Sequence, residues 1–179
     1  MLQLNTKKNI SLNVPENIKE DQTIRFGLSE VTEALKYYNE NGYVIFSKCI
    51  DQNDCDHILS LWNKFIKTYK GKIYRQTTGK AEKNKFNQNK WIMNPVLNLQ
   101  SLNPNKFGKF RNASEIKIFN NKNLCGILNH FFSDKPKIIQ SMFFEGNSFT
   151  QEHQDTYYLD SENIGNLTAA WIALEQIKA

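Results

Sequence analysis

Two apolar runs near the end of the chain, IIQSMFF at 138–144 and LTAAWIAL at 167–174, constrain the fold most. Both are too short for a buried helix and are bordered by turn-forming residues, Gly146-Asn147-Ser148 after the first and 160–165 before the second, so they predict strands. In the first, Ile138, Gln140, Met142 and Phe144 share one face, while Ile139, Ser141, Phe143 and the following Glu145 share the other. Gln140 in so apolar a run needs a hydrogen-bonding partner if it is buried. Between the runs lies His153-Gln154-Asp155. In an extended backbone, residues i and i+2 point to the same side, so His153 and Asp155 can reach one point in space. An imidazole nitrogen and a carboxylate oxygen so placed are two of the three ligands of the facial triad that holds a non-haem Fe(II). Standing alone, a His-x-Asp is also what a surface polar cluster looks like. A zinc hydrolase fits less well, since no HExxH helix accompanies the pair.

The first two-thirds of the chain predicts helices. Residues 1–28 are mixed and without clear periodicity, and predict a loosely held arm ahead of a domain at 29–179. Ser29 is the expected N-cap of a first helix, with Val31, Ala34, Leu35 and Tyr38 as its apolar stripe and Gly42 as its C-terminal stop. Residues 43–46 predict a short strand. Asp51 caps a second helix carrying an unbroken stripe of Cys55, Ile58, Leu59, Trp62, Phe65, Ile66 and Tyr69, which reads as core. His57 falls off that stripe and reads as a surface residue. Residues 91–102 contain Pro95 and predict extended or turning chain. Asn103-Pro104-Asn105 and the surroundings of Gly108 read as turns. A third helix is expected from about Asn121 to Ser133, with His130 as a C-terminal charge.

Between 64 and 90 stand nine basic residues and one acid, interleaved with Tyr69, Tyr74 and Phe86. Such interleaving is one way to hold single-stranded nucleic acid, but no nucleic-acid module accompanies it, and no nucleic-acid partner is expected. A loop meeting a charged substrate and a plain solvated loop both remain open. The formal net charge of +5 is moderate and suits either. A hydrophobic content of 40% excludes a disordered chain. No apolar run approaches the roughly 18 residues of a membrane span, and the opening MLQLNTKKNISLN has no secretory core. Three cysteines without metal-site spacing complete an expectation of a cytoplasmic chain with reduced thiols.

HQDTYYLDS followed by AAWIALE, together with the earlier NGYVIF at 41–46, resembles the phytanoyl-CoA dioxygenase family of Fe(II)- and 2-oxoglutarate-dependent oxygenases. The resemblance runs from about Val31 to the end of the chain. It implies an α+β double-stranded β-helix, of the jelly-roll or cupin-like kind, with N-terminal helices packed on one sheet. It assigns His153 and Asp155 to iron and Trp171 to the 2-oxoglutarate pocket, with plain core an equal reading for Trp171. For Gln140, a 2-oxoglutarate carboxylate and a neighbouring backbone are equal candidates. The implied reaction is hydroxylation, since Asp155 stands where related halogenases have a small residue. Its partners are O2 and a small organic or acyl-type substrate. The family's second iron His and its 2-oxoglutarate Arg lie beyond the matching stretch. The barrel is therefore expected to be incomplete at its C-terminus, with strands that self-associate through unpaired edges. The chain alone is expected to bind Fe(II) weakly and form no succinate. The alternative is an inactive remnant or binding module of the same fold.

Overall fold

A computed structural model describes residues 2–5, 11–14, 23–146, 153, 155, 158, 159, 161, 163 and 166–176. They form two compact units, Met1–Lys48 with Glu175–Ala179, and Cys49–Leu174.

In the first unit, β1 (Leu2–Asn5) and β2 (Ser11–Val14) pair antiparallel, with Leu4 opposite Leu12. The stretch expected to be an unpatterned arm thus contains a hairpin. Its alternation is only four residues long on each side, too short to stand out in the sequence. Helix α1 (Val31–Asn41) begins one residue later than expected, with Glu30 at the N-cap position in place of Ser29. The Glu30 carboxylate turns back to accept the Gly27 N–H at 2.6 Å. Gly42 closes the helix at φ 79°, donating to the Tyr38 carbonyl at 2.7 Å. The strand expected at 43–46 is reduced to one parallel bridge between Phe26 and Phe46. Tyr37 packs edge-on against Tyr43 and donates to its hydroxyl at 3.0 Å. That bond raises the Tyr37 phenol above its ordinary value.

The second unit is built on α2 (Gln52–Leu61), capped by the Asp51 carboxylate, which accepts from Asn53 N–H at 2.8 Å. The helix runs on into a π-helical turn, Trp62–Lys67. The expected stripe is its inner face. Cys55, Ile58, Trp62 and Ile66 are buried, and Leu59, Phe65 and Tyr69 pack partly against the core. Trp62 stacks on Phe143 at 3.9 Å between centroids, and Phe110 meets both rings at 5.9 Å. His57 is exposed, as its position off the stripe requires.

The stretch at 64–90 is no plain loop. Strands β3 (Ile73–Tyr74) and β4 (Ala81–Glu82) form a hairpin, and a bridge between Phe86 and Ile92 closes a second turn. Arg75, fully buried, donates to the Asn94 carbonyl at 3.0 Å and to the Asn84 side-chain carbonyl. Asn84 in turn caps the end of the α2 extension, donating to the Ile66 carbonyl at 2.8 Å. The guanidinium is thus held by two neutral carbonyl oxygens, and its buried Nε finds no partner among the described residues. Burial lowers its pKa to about 10, with Glu82 opposing.

Residues 91–102 are extended and turning as expected, supplying β5 (Val96–Leu97) and a 3-10 turn at Leu99–Ser101. The turn expected at Asn103-Pro104-Asn105 is instead the start of α3 (Pro104–Ser114). Asn103 Oδ1 accepts from Asn105 N–H and Lys106 N–H, and Pro104 occupies the first helical position. The same residues serve turns and helix starts. The helix kinks at Phe107 (φ −123°, ψ 15°), beside the Gly108 where a turn was expected, and the buried Phe107 and Phe110 hold it to the core. Helix α4 (Lys122–Phe132) follows, capped by Asn121 and ended by Ser133 at φ 52°, with His130 exposed in its last turn.

Of the expected strand at 138–144, only β6 (Met142–Phe143) is regular, pairing antiparallel with β5. Residues 167–174 form no strand. A strand exists only through its partner, and none of the three two-stranded sheets includes that segment. The architecture is α+β, with four α-helices and three two-stranded sheets but no closed barrel among the described residues. The three cysteines are free thiols, and no described helix is long and apolar enough to cross a membrane.

Candidate functional site

The chain leaves β6 under tight control. Glu145, half-buried, accepts the Ile92 N–H at 2.7 Å through Oε2 and pairs with the Lys67 ammonium through Oε1. Gly146 N–H then donates to the Ile92 carbonyl at 3.0 Å. A Cβ at Gly146 would lie 2.6 Å from the Met93 sulfur and 3.4 Å from Trp91 Cβ, so close approach of the two segments favours glycine. This anchor fixes the point from which the chain departs toward the His-x-Asp motif. The sequence reading missed Glu145 because its partners lie 53 and 78 residues away.

His153 and Asp155 do converge. His153 Nε2 lies 3.1 Å from Asp155 Oδ1, with the side chains 40% and 52% exposed. The backbone differs from the extended strand expected. The Asp155 carbonyl accepts from both Tyr158 N–H and Leu159 N–H at 2.8 Å, so Asp155 opens a tight turn. Tyr158 meets the imidazole edge-on at 6.1 Å. The rest of the expected strand around the motif lies partly outside the described residues.

Trp171 is 81% exposed, so its ring is not core. It stacks on Phe144 at 5.4 Å with planes 15° apart. The ring is thus tied to the residue just after β6, and its other face is open. Gln140 is half-buried two residues before β6, in irregular chain. No described contact joins Gln140 or Trp171 to the His-Asp pair. Arg75 is the buried cation that pattern reading passed over. One signal was present, an Arg in a chain that otherwise uses Lys twenty times against three Arg. A guanidinium can serve two separated acceptors at once where an ammonium serves as a point charge.

A model of the phytanoyl-CoA dioxygenase family matches residues 38–179. The chain belongs to the phytanoyl-CoA dioxygenase family. No curated protein and no solved structure matches at a significant level. The phytanoyl-CoA dioxygenase family implies a cupin-like fold and the chemistry of Fe(II)- and 2-oxoglutarate-dependent oxygenases. Imidazole and carboxylate are donor types that iron accepts, and the His153 Nε2 to Asp155 Oδ1 separation of 3.1 Å puts the two within hydrogen-bonding reach of each other. The described residues contain no group of three or more His, Cys, Asp or Glu that could hold a metal.

Proposed function

We propose that this chain carries the His-x-Asp part of the iron site of a 2-oxoglutarate-dependent oxygenase. The reaction hydroxylates an unactivated C–H bond of a small organic or acyl-type substrate. The observation that carries the reading is the convergence of His153 Nε2 and Asp155 Oδ1 within a chain of this family. Bound Fe(II) supplies activation of O2: one oxygen atom enters the substrate and the other enters succinate as 2-oxoglutarate loses CO2. His153 and Asp155 would hold the metal at two adjacent positions. Trp171, stacked on Phe144, would present its open face to the co-substrate, and Gln140 would donate to one of its carboxylates. The jelly-roll architecture belongs to this proposal, as do an arm at 1–28 and an oxygenase domain at 29–179. So does self-association, since the outer edge of β6 pairs with no described strand.

A second reading, a binding module of the same fold without turnover, is favoured by the exposure of the pair and by the lack of a third donor among the described residues. One experiment separates the two. Fe(II) affinity and O2-dependent conversion of 2-oxoglutarate to succinate are measured on the parent, His153→Ala and Asp155→Ala. The oxygenase reading expects turnover that both variants abolish. Fe(II) binding weakened by both variants, with no turnover in the parent, supports the binding module. Fe(II) binding or turnover unchanged in both variants refutes the assignment of the pair to iron.

A further inference from the structure

The β3–β4 and β5–β6 pairs are continuous. An antiparallel bridge between Arg75 and Val96 joins β3 to β5, and beside it Gln76 N–H donates to the Pro95 carbonyl at 3.0 Å. Four strands therefore run side by side in the order β4-β3-β5-β6. One face of them is filled: Ile73, Arg75, Val96 and Phe143 are buried, and Trp62 of the α2 extension stacks on Phe143. Alternation turns the residues between these to the other side. There the register lines up Met142, Leu97, Tyr74 and Ala81 across the four strands. This row is open to solvent, with Met142 39% and Tyr74 52% exposed, Leu97 half-buried and Ala81 exposed.

The row is continuous with the candidate site. Phe144 follows Met142 on the same side, and Trp171 lies flat on it with planes 15° apart, so this face already takes a planar ring at its β6 end. Gly146, two residues further, is where the chain departs toward His153 and Asp155, and the Met93 sulfur lies against it. Trp171 stands on the end of the row, which obstructs a second flat sheet and leaves a step for a small ring. The row itself carries no charge, and the next residues on this side, Lys72 and Lys83, are exposed beyond it. A charged group laid there would lose water without gaining a partner, whereas an aromatic ring gains contacts with Tyr74 and the Met142 thioether. We propose that this face is the substrate wall of the oxygenase site and holds an uncharged aromatic ring, laid on Met142, Leu97 and Tyr74 with its edge toward Trp171. The assignment rests on the proposed function and narrows its substrate class.

Benzyl alcohol serves as the uncharged ring and benzylammonium as a charged ring of the same shape, each titrated into the metal-free full chain and followed by methionine-methyl and amide chemical shifts. Saturable shifts of the Met142 methyl and of amides at 73–75, 96–97 and 142–144 are expected, with benzyl alcohol binding about tenfold more tightly than benzylammonium. Met142→Lys should weaken benzyl alcohol about fivefold; if it fails to fold, Tyr74→Ala makes the same test. Mn(II), standing in for Fe(II), should broaden the Met142 methyl in the parent and not in His153→Ala. The absence of saturable shifts at the row, equal affinity for the two probes, or a folded variant that binds as the parent does would each overturn the ring site. Row signals that move with protein concentration alone would give the face to a second copy and overturn it as well. Mn(II) bound at the His-Asp pair with the Met142 methyl still sharp would overturn the placement of the wall at the iron site. Mn(II) that does not bind the pair would instead sink the iron reading and leave the ring site standing.

Discussion

Replacing Glu145 by alanine tests how the chain is held as it leaves β6. Two interactions are lost. The Ile92 N–H, in a residue only 1% exposed, loses the acceptor it meets at 2.7 Å. A buried donor left without a partner costs about 1–3 kcal/mol. The Lys67 ammonium loses its counter-charge, but it is 26% exposed and water replaces much of that attraction, so about 0.5–1 kcal/mol is at stake. The sum is a destabilisation of about 1.5–4 kcal/mol, which for a chain of this size lowers the melting temperature by roughly 3–16 °C. Glu145→Gln keeps a carbonyl oxygen for Ile92 and loses only the charge, so about 1 kcal/mol is expected from it. Urea unfolding of the two variants and of Lys67→Met, with the double variant closing the cycle, separates the backbone bond from the ion pair. Glu145→Ala within about 0.5 kcal/mol of the parent would refute the anchor. So would equal losses from alanine and glutamine, because the backbone hydrogen bond would then contribute nothing.

Asn103→Ala removes the cap of α3 and should cost about 1 kcal/mol in urea unfolding, whereas a mere turn at this position would show almost no loss. Trp171→Ala touches an exposed ring and should cost no more than about 1.5 kcal/mol, the worth of an aromatic pair. On the proposed function it should also weaken 2-oxoglutarate binding, measured by calorimetry in the presence of Fe(II). The Glu82 carboxyl is held below its ordinary value of 4.5, chiefly by its hydrogen bond from Lys85. A depressed folded-state pKa stabilises above the unfolded value and is lost as pH falls through the folded one. Comparing parent with Glu82→Gln across the acid range should therefore show a difference at neutral pH that vanishes on acidification, and a difference that grows instead would reverse the sign of the argument.

Helices were legible because they satisfy their backbone within a few residues. Asp51, Asn121 and Gly42 each announce a helix end whose cap is made by the nearest N–H or C=O groups. The stripe from Cys55 to Tyr69 names its own inner face through its spacing. The i, i+2 spacing of His153 and Asp155 likewise contained the convergence of their side chains, although the turn at Asp155 that accompanies it was not expected. Membership of the family was legible in the same motif.

What lay beyond the sequence is whatever needs a partner distant along the chain. The apolar run at 138–144 marked a strand, but only Met142 and Phe143 find Leu97 and Val96 to pair with. Asn103-Pro104 is locally as good a turn as a helix start, and the packing of Phe107 and Phe110 against the α2 extension and its neighbours selects the helix. Arg75 looked like one of nine solvated cations until the structure brought Asn84 and Asn94 around its guanidinium. Glu145 became an anchor only where Lys67 and Ile92 meet it. Local hydrogen bonds and side-chain period are written in neighbouring residues. The burial of a charge and the pairing of a strand depend on acceptors and edges supplied from elsewhere, and only the folded chain brings those within reach.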